Sequence, residues 1–463
     1  MTEKAFPESR VVEIWQNQLP GRTDLVTEEG EKLKIIHPGR INDDRGADLL
    51  DAVITTSQGL MRGDIEVHVK SSDWWAHRHH QDPIYNRVIL HVVFWRDTET
   101  AINLQNGQKV PTLAVHKFIK NQADLHANSA YLSNSWHMPC RNAVDRWNIG
   151  IMGELLDIAG EERFLAKAAS FQTALAQTEA NQALYQGIME ALGYTKNKYP
   201  LAELARRMPL HRLESVTAGK VSEAEYLAQQ QALLLGTAGL LPSQRSDWHG
   251  TGKRGDEWIE KLEKVWASFC QTETMSEGDW HLFKVRPTNF PTRRIAAMSY
   301  LLLRYGERGI LEGLVNKLRE APVDTGYHRL ERALRVTTDG YWANHLDFGL
   351  PSRMSIPALL GEGRAADIVV NVLLPFAVAW ARLNSQPELA IKAFDLYRHY
   401  PELAGNAVVR HMGNQIGINR YLVNSAQRQQ GLIHIYKTLC SQGKCSDCPI
   451  SQEYSRPDAV PIT

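Results

Sequence analysis

Between residues 63 and 70 the sequence GDIEVHVK alternates strictly. Asp64, Glu66, His68 and Lys70 fall on one parity, and Ile65, Val67 and Val69 on the other. A strand repeats every two residues, so the run predicts one polar face and one face turned to a core. The run 88–95, VILHVVFW, is apolar or β-branched apart from His91. A strand covered on both faces reads this way, and such strands usually have parallel neighbours. Residues 8–18 read as a short amphipathic helix, and 33–37 as a strand ended by Pro38-Gly39. Residues 48–55 read as another strand, which Ser57-Gln58-Gly59 turns toward the alternating run. Residues 112–120 read as a further strand or a helix start. From about Asp124 helical periodicity takes over, in segments 150–193, 221–240, 256–271, 291–319, 365–383, 387–399 and 418–439. The expected architecture is an α/β domain with a mixed sheet over residues 1–122. A large all-α region over 123–463 follows, with a boundary in the Asn/Ser-rich segment 121–135.

Composition narrows the classes. A chain of 463 residues is long enough for two or three cores. Lys+Arg and Asp+Glu balance at 52 each, so a nucleic-acid partner would need a local basic groove rather than a global field. The opening MTEKAFPESRVVEIW lacks a signal-like apolar stretch, and no apolar run approaches a membrane span. The expectation is a cytoplasmic protein with no membrane partner. Five cysteines, an odd number, predict reduced thiols or metal ligands rather than a disulfide framework.

The candidate chemistry gathers between Gly63 and Trp95, where five histidines stand among several acids. Asp48 and Glu66, on adjacent strands, are candidate carboxylate ligands for Mg²⁺ or Mn²⁺. His68 is a candidate ligand or base, and Lys70 a candidate stabiliser of developing negative charge. The competing account is a solvated strand face. His77 and His80, three apart, would share a face if helical and could ligate Zn²⁺, Mn²⁺ or Fe, which supports a histidine/carboxylate metallohydrolase. The plainer reading makes them surface residues and His91 a core histidine bonded to a backbone carbonyl. Trp74, Trp75 and Tyr85 are expected to pack the connection against the sheet, or one of them to stack on a base. Glu13 is a further acidic candidate. Arg293 and Arg294 follow Pro291 at a helix start, where cations oppose the helix dipole. Bidentate contact with a phosphate-bearing ligand would explain them, although such arginines are more often solvated or paired with local acids.

At these residues the chain resembles a bacterial domain-of-unknown-function family. The resemblance rests on His37-Pro38-Gly39 with Asn42, Gly46-Ala47-Asp48, and GDIEVHVKSSDWWAHRHHQDPIYNRVILHVV. Pro139-Cys140, RPTNFPTRRIA, LGEGRAADIVVNVLLPF and the terminal QGLIHIYKTLCSQGKCSDCPI extend it over nearly the whole chain. The N-terminal part also resembles, more weakly, the PD-(D/E)XK nuclease superfamily, whose core sets an Asp on one strand and (Asp/Glu)-x-Lys on the next around divalent cations. Here Ala47 stands where Pro is usual, and His68 where the catalytic Lys is usual. That resemblance implies a metal-dependent nuclease-like hydrolase of DNA or RNA phosphodiesters, or a nucleic-acid-binding protein that has lost turnover.

Cys440, Cys445 and Cys448 form a C-x₄-C-x₂-C arrangement suited to a soft metal. Zn²⁺ or an iron–sulfur cluster would take a fourth ligand, for which Cys140 of the family-like Pro139-Cys140 is the candidate. That contact is expected to clasp the helical region shut, as in some nucleases of the superfamily with one early and three late cysteines. Cys270 is read as a buried apolar residue.

Overall fold

The computed structural model describes residues 6–17, 19–119, 139–216, 221–246, 256–269, 273–282, 285–306, 308–418 and 421–452. The expected linker and Cys270 lie outside them. Among the described residues eight short or medium strands occupy the N-terminal part: β1 (Lys34–His37), β2 (Arg40–Ile41), β3 (Leu49–Thr56), β4 (Gly59–Lys70), β5 (Val88–Trp95), β6 (Ile102–Asn103), β7 (Lys109–Val110) and β8 (Thr112–Ala114). Six of them form one mixed sheet in the order β1-β3-β4-β5-β8, with β2 beside β3, while β6 and β7 pair separately. β3 and β4 are an antiparallel hairpin. β5 runs parallel to both its neighbours, β4 and β8, as its unbroken apolar sequence predicts.

The parity reading of β4 holds. Ile65 and Val67 join the core formed with Leu90, Val92 and Leu113 and with Val11, Ile14 and Trp15 of helix α1 (Glu8–Asn17). The Trp15 indole N–H donates to the Pro38 carbonyl at 2.8 Å and ties the helix to the corner after β1. Gly63 is required where β4 meets β5, because a Cβ there would stand 2.4 Å from the Arg87 carbonyl oxygen. One feature escapes the pattern. Leu49 pairs with Ile65 but Ala52 with Gly63, so β3 carries an extra residue, and Asp51 takes a left-handed conformation at φ 60°. This bulge bends β3 and ends regular pairing just before Asp48.

The described residues fall into two compact units. The first comprises Met1–Ala159, Gly405–Val423 and Gly431–Thr463, and the second Gly160–Ala404 with Asn424–Gln430. The boundary expected at 122/123 is therefore not where the units divide. The C-terminal segment returns to the sheet-bearing unit: the Tyr436 hydroxyl donates to Asp51 at 3.0 Å, and Cys140, Cys440 and Cys448 share a core with Met152, Leu156 and Met412.

The second unit is largely helical. The periodic run expected over 150–193 is two helices, Ile149–Gln177 and Ala180–Leu192, and 291–319 splits into Pro291–Tyr305 and Ile310–Glu320 before Gly309 at φ 79°. Two short strand pairs, His345–Asp347 with Leu350–Pro351 and Val336–Thr337 with Ala358–Leu360, were too brief for a period to register. Among the described residues one helix, Glu362–Leu383, is long and apolar enough to cross a membrane, and 72% of that window is buried inside the protein. It is a core helix with a π-turn at Val369–Leu373.

Candidate metal centre

The loop between β2 and β3 presents Asp48. The Asn42 side-chain amide donates to the Ala47 carbonyl at 2.8 Å, and the Asn42 backbone N–H to the Asp48 carbonyl at 2.8 Å. Because the β3–β4 ladder has lapsed here, each strand's carboxylate serves the other's backbone. The Val67 N–H donates to Asp48 Oδ2 at 3.0 Å, and the Asp48 N–H to Glu66 Oε2 at 3.2 Å. This reciprocal clasp fixes both carboxylates and leaves Glu66 Oε1 directed at imidazoles. It lies 3.1 Å from His79 Nε2 and 3.5 Å from His68 Nε2.

The connection after β4 brings the histidines round. Ser71 and Ser72 bond the Asp97 carboxylate, with the Ser72 hydroxyl at 2.7 Å, pinning the start of the connection beside the end of β5. A single helical turn, α2 (Asp73–Ala76), ends at His77, and Arg78 then reverses the chain at φ 60° into a 3₁₀ turn at His79–Gln81. Trp74 is fully buried, and with Tyr85, Ala47, Val88 and Ile102 it packs the connection against the sheet as expected. The Tyr85 ring lies 4.0 Å from that of His79 and holds it over the site.

The candidate ligand nitrogens of His68, His77 and His79 all lie within 4.8 Å of one another, with His68 Nε2 3.1 Å from His77 Nδ1. His68 Nδ1 meets His91 Nε2 at 2.8 Å, so buried His91 stands behind the site with an imidazole partner instead of the backbone carbonyl expected for it. The helix assumed over 77–80 does not form. The left-handed Arg78 shifts the phase, so His79 takes the place assigned to His80, whose ring instead lies 4.5 Å from Trp75. Glu13 pairs with Arg10; the acid of α1 that feels this site is Glu8, whose carboxyl burial raises and the nearby His77 lowers. Lys70 lies at the exposed end of β4.

Electrostatics mark the cluster. Burial, then the neighbouring Glu66 charge, pushes the Asp48 carboxyl up to about 7, and burial pushes Glu66 up to about 8. Burial, and then the neighbouring imidazoles, drives His68 down to about 2 and His91 down to about 3, so both are neutral near pH 7.

Arg293 and Arg294 take a different role from the one expected of them. Arg293 is fully buried and its guanidinium donates to the carbonyls of Trp342, His345, Ile356 and Ala358. Arg294 donates to the Leu359 carbonyl, to Asn289 and to the Tyr194 hydroxyl. Their donors tie irregular chain to the helix from Pro291, which is why cations stand at a helix start. Cys140, Cys440 and Cys448 lie in the core of the first unit, not in the helical region they were expected to clasp. Cys140 accepts from the Gln415 amide at 3.0 Å, and the Cys440 thiol lies 3.9 Å from the Met412 sulfur. Burial, then neighbouring cysteines, raises Cys440, and pushes Cys445 up to about 11.

The fold and this cluster define a class: a mixed-sheet α/β unit bearing a buried carboxylate–imidazole group, joined to a helical unit. The chain belongs to the family described as protein of unknown function (DUF2851), which matches residues 8–404. No curated protein and no solved structure matches it.

Proposed function

We propose that the protein is a divalent-metal-dependent hydrolase of nucleic-acid phosphodiesters, its cation held by Glu66, His68, His77 and His79 with Asp48 alongside. The observation that carries this reading is the convergence of Glu66 Oε1 and three imidazole nitrogens, 3.1–3.5 Å apart in the contacts that join them. Donors about 2.1 Å from one cation stand roughly 3–3.5 Å from each other, and these three contacts fall in that range. It also fits chemically. Two carboxyls raised by burial and repulsion are what a dication would draw back to the ionised state, and neutral imidazoles are the form that ligates. Imidazole donors favour Mn²⁺ or Zn²⁺ over Mg²⁺.

A bound dication would supply Lewis acidity and an activated water. The chain's own residues orient and shield. The Asp48–Glu66 clasp holds both carboxylates on backbone N–H groups. His91 orients the His68 ring: in the tautomer whose Nδ1–H donates to His91 Nε2, the His68 Nε2 lone pair faces the cluster. Trp74 and Tyr85 wall one side against water, while exposed His77 marks the open rim. The carboxylate pair on adjacent strands supports a phosphodiester substrate. In the test, wild type with Mn²⁺ cleaves a labelled DNA or RNA oligonucleotide, and Glu66→Ala and His79→Ala fold but do not. Metal-loaded wild type that cleaves neither nucleic acid would refute the reading. The three-imidazole set favours one second reading, a metallohydrolase of another substrate, in which simple esters are turned over and oligonucleotides are not.

We further infer that Cys140, Cys440, Cys445 and Cys448 hold a structural metal centre. Four thiolates around one Zn²⁺ would stand about 3.8 Å apart. An iron–sulfur cluster is the alternative for the same four donors, and colour separates the two. Protein purified anaerobically with a cluster would be brown and lose colour and iron in Cys448→Ser; a wild type that carries neither iron nor zinc would refute the metal centre.

A further inference from the structure

The sheet-bearing unit has a second concave site. A cavity of about 450 Å³ is lined by the corner Pro38–Ile41, residues of the C-terminal end of α1 and one side of the helix Ala407–Ile416. Three arginines, Arg40, Arg141 and Arg410, contribute to its lining, with His411 and Asn414, against a single acid, Asp43. Arg410 and Asn414 are four residues apart on their helix, as are His411 and Gln415, so one helix side offers both pairs.

The floor is rigid and specific. The His411 ring meets the rings of His37 at 5.8 Å and Tyr436 at 5.7 Å, and Tyr436 is anchored on Asp51. His411 Nε2 is buried with no hydrogen-bond partner. Burial, then the Arg40 charge, pushes His411 down to about 4, so the neutral ring contributes a hydrogen-bonding nitrogen while the arginines contribute charge. Arg40 is held beside Asp51 at 3.5 Å and Arg410 donates to the Gly405 carbonyl at 3.4 Å, and a guanidinium has five N–H donors, so beyond these contacts the arginines can bind a phosphate.

We propose that this cavity seats a backbone phosphate of the nucleic-acid strand whose phosphodiester reaches the metal centre; the inference rests on the phosphodiester reading above. The two sites are built on one strand pair. Arg40 pairs with Leu50 and Ile41 with Leu49, and the next residue, Asn42, bonds Asp48 itself. At about 3.3 Å per residue and about 4.8 Å between strands, the Arg40 and Asp48 Cα atoms lie roughly 8 Å apart. Neighbouring phosphates of one strand can therefore engage both sites. The patch is also the local basic groove that a chain with 52 charges of each sign needs if it is to hold a polyanion.

The test measures binding of a fluorescein-labelled single-stranded DNA oligonucleotide to the full chain by anisotropy, in EDTA, across a salt series. Arg410→Glu and Arg141→Glu are the variants, because neither residue is buried and the substitutions leave the core intact. Wild type is expected to bind with an affinity that falls with salt. Each variant is expected to bind more weakly by roughly fivefold or more, with a salt slope smaller by about 0.7 for each phosphate no longer neutralised. Variants that bind like wild type overturn the proposal. So does a wild type that binds millimolar inorganic phosphate but no oligonucleotide. If the arginine dependence appears and Mn²⁺ brings no cleavage, this site stands and the hydrolase reading alone fails.

Discussion

Replacing Glu66 by glutamine should change how the metal-free protein's stability depends on pH. In the folded chain burial raises the Glu66 carboxyl from 4.5 to about 8. The folded protein thus keeps a proton that the unfolded chain releases, and the stability contributed by this group is full below pH 4.5 and lost as pH rises to about 8. The full shift sets a ceiling of about 5 kcal/mol. Local relaxation and water entry around the ionised group bring the expected loss to about 2–3 kcal/mol. Glutamine keeps an acceptor for the Asp48 N–H and offers an amide donor to His79 Nε2, yet has no proton to lose. In EDTA the variant should match wild type near pH 5 and exceed it by about 2–3 kcal/mol at pH 9, or about 5–10 °C in melting temperature for a unit of this size. Circular-dichroism melts across pH 5–9 read the difference directly. With Mn²⁺ the order should invert, since only wild type gains from binding. A stability difference independent of pH, or a variant weaker than wild type at pH 9 in EDTA, would refute the reasoning.

Other outcomes follow from the same geometry. His91 is lowered from 6.5 to about 3, so its contribution is present above pH 6.5 and lost as pH falls toward 3; His91→Gln should flatten that acid limb in urea titrations at pH 7 and 5. Arg293→Met would leave four carbonyls without their donor and should cost about 3–5 kcal/mol in urea unfolding, with Mn²⁺ affinity unchanged. Gly63→Ala forces a Cβ against the Arg87 carbonyl at 2.4 Å and should destabilise the protein by about 2–4 kcal/mol in the same assay.

The period-two runs at β4 and β5 made the centre of the sheet legible, including the parallel neighbours of β5, because the face each residue takes follows from parity alone. Asp48 and Glu66 could be paired from the sequence because it sets them on adjacent strands, although the observed strand begins one residue later, at Leu49. His79 could not be found this way. Its place depends on one backbone reversal at Arg78, and a left-handed non-glycine residue leaves no periodic trace. The signal available was density, five histidines across two strands and their connection, which marks a site without saying which ring enters it. Arg293 and Arg294 illustrate the opposite error. Cations at a helix start called for an anion, but carbonyls of irregular chain met the same need. Cys140, Cys440 and Cys448 share one core, and the unit that core belongs to depends on the chain's return across more than two hundred residues, which local patterning does not encode.

Titration calorimetry with Mn²⁺, comparing wild type, His79→Ala and His80→Ala, tests the central claim most directly, because it needs no substrate and separates two adjacent histidines. One cation per chain is expected in wild type and in His80→Ala, with loss of at least tenfold in affinity in His79→Ala. Equal binding by all three, or loss only in His80→Ala, would contradict the proposed centre.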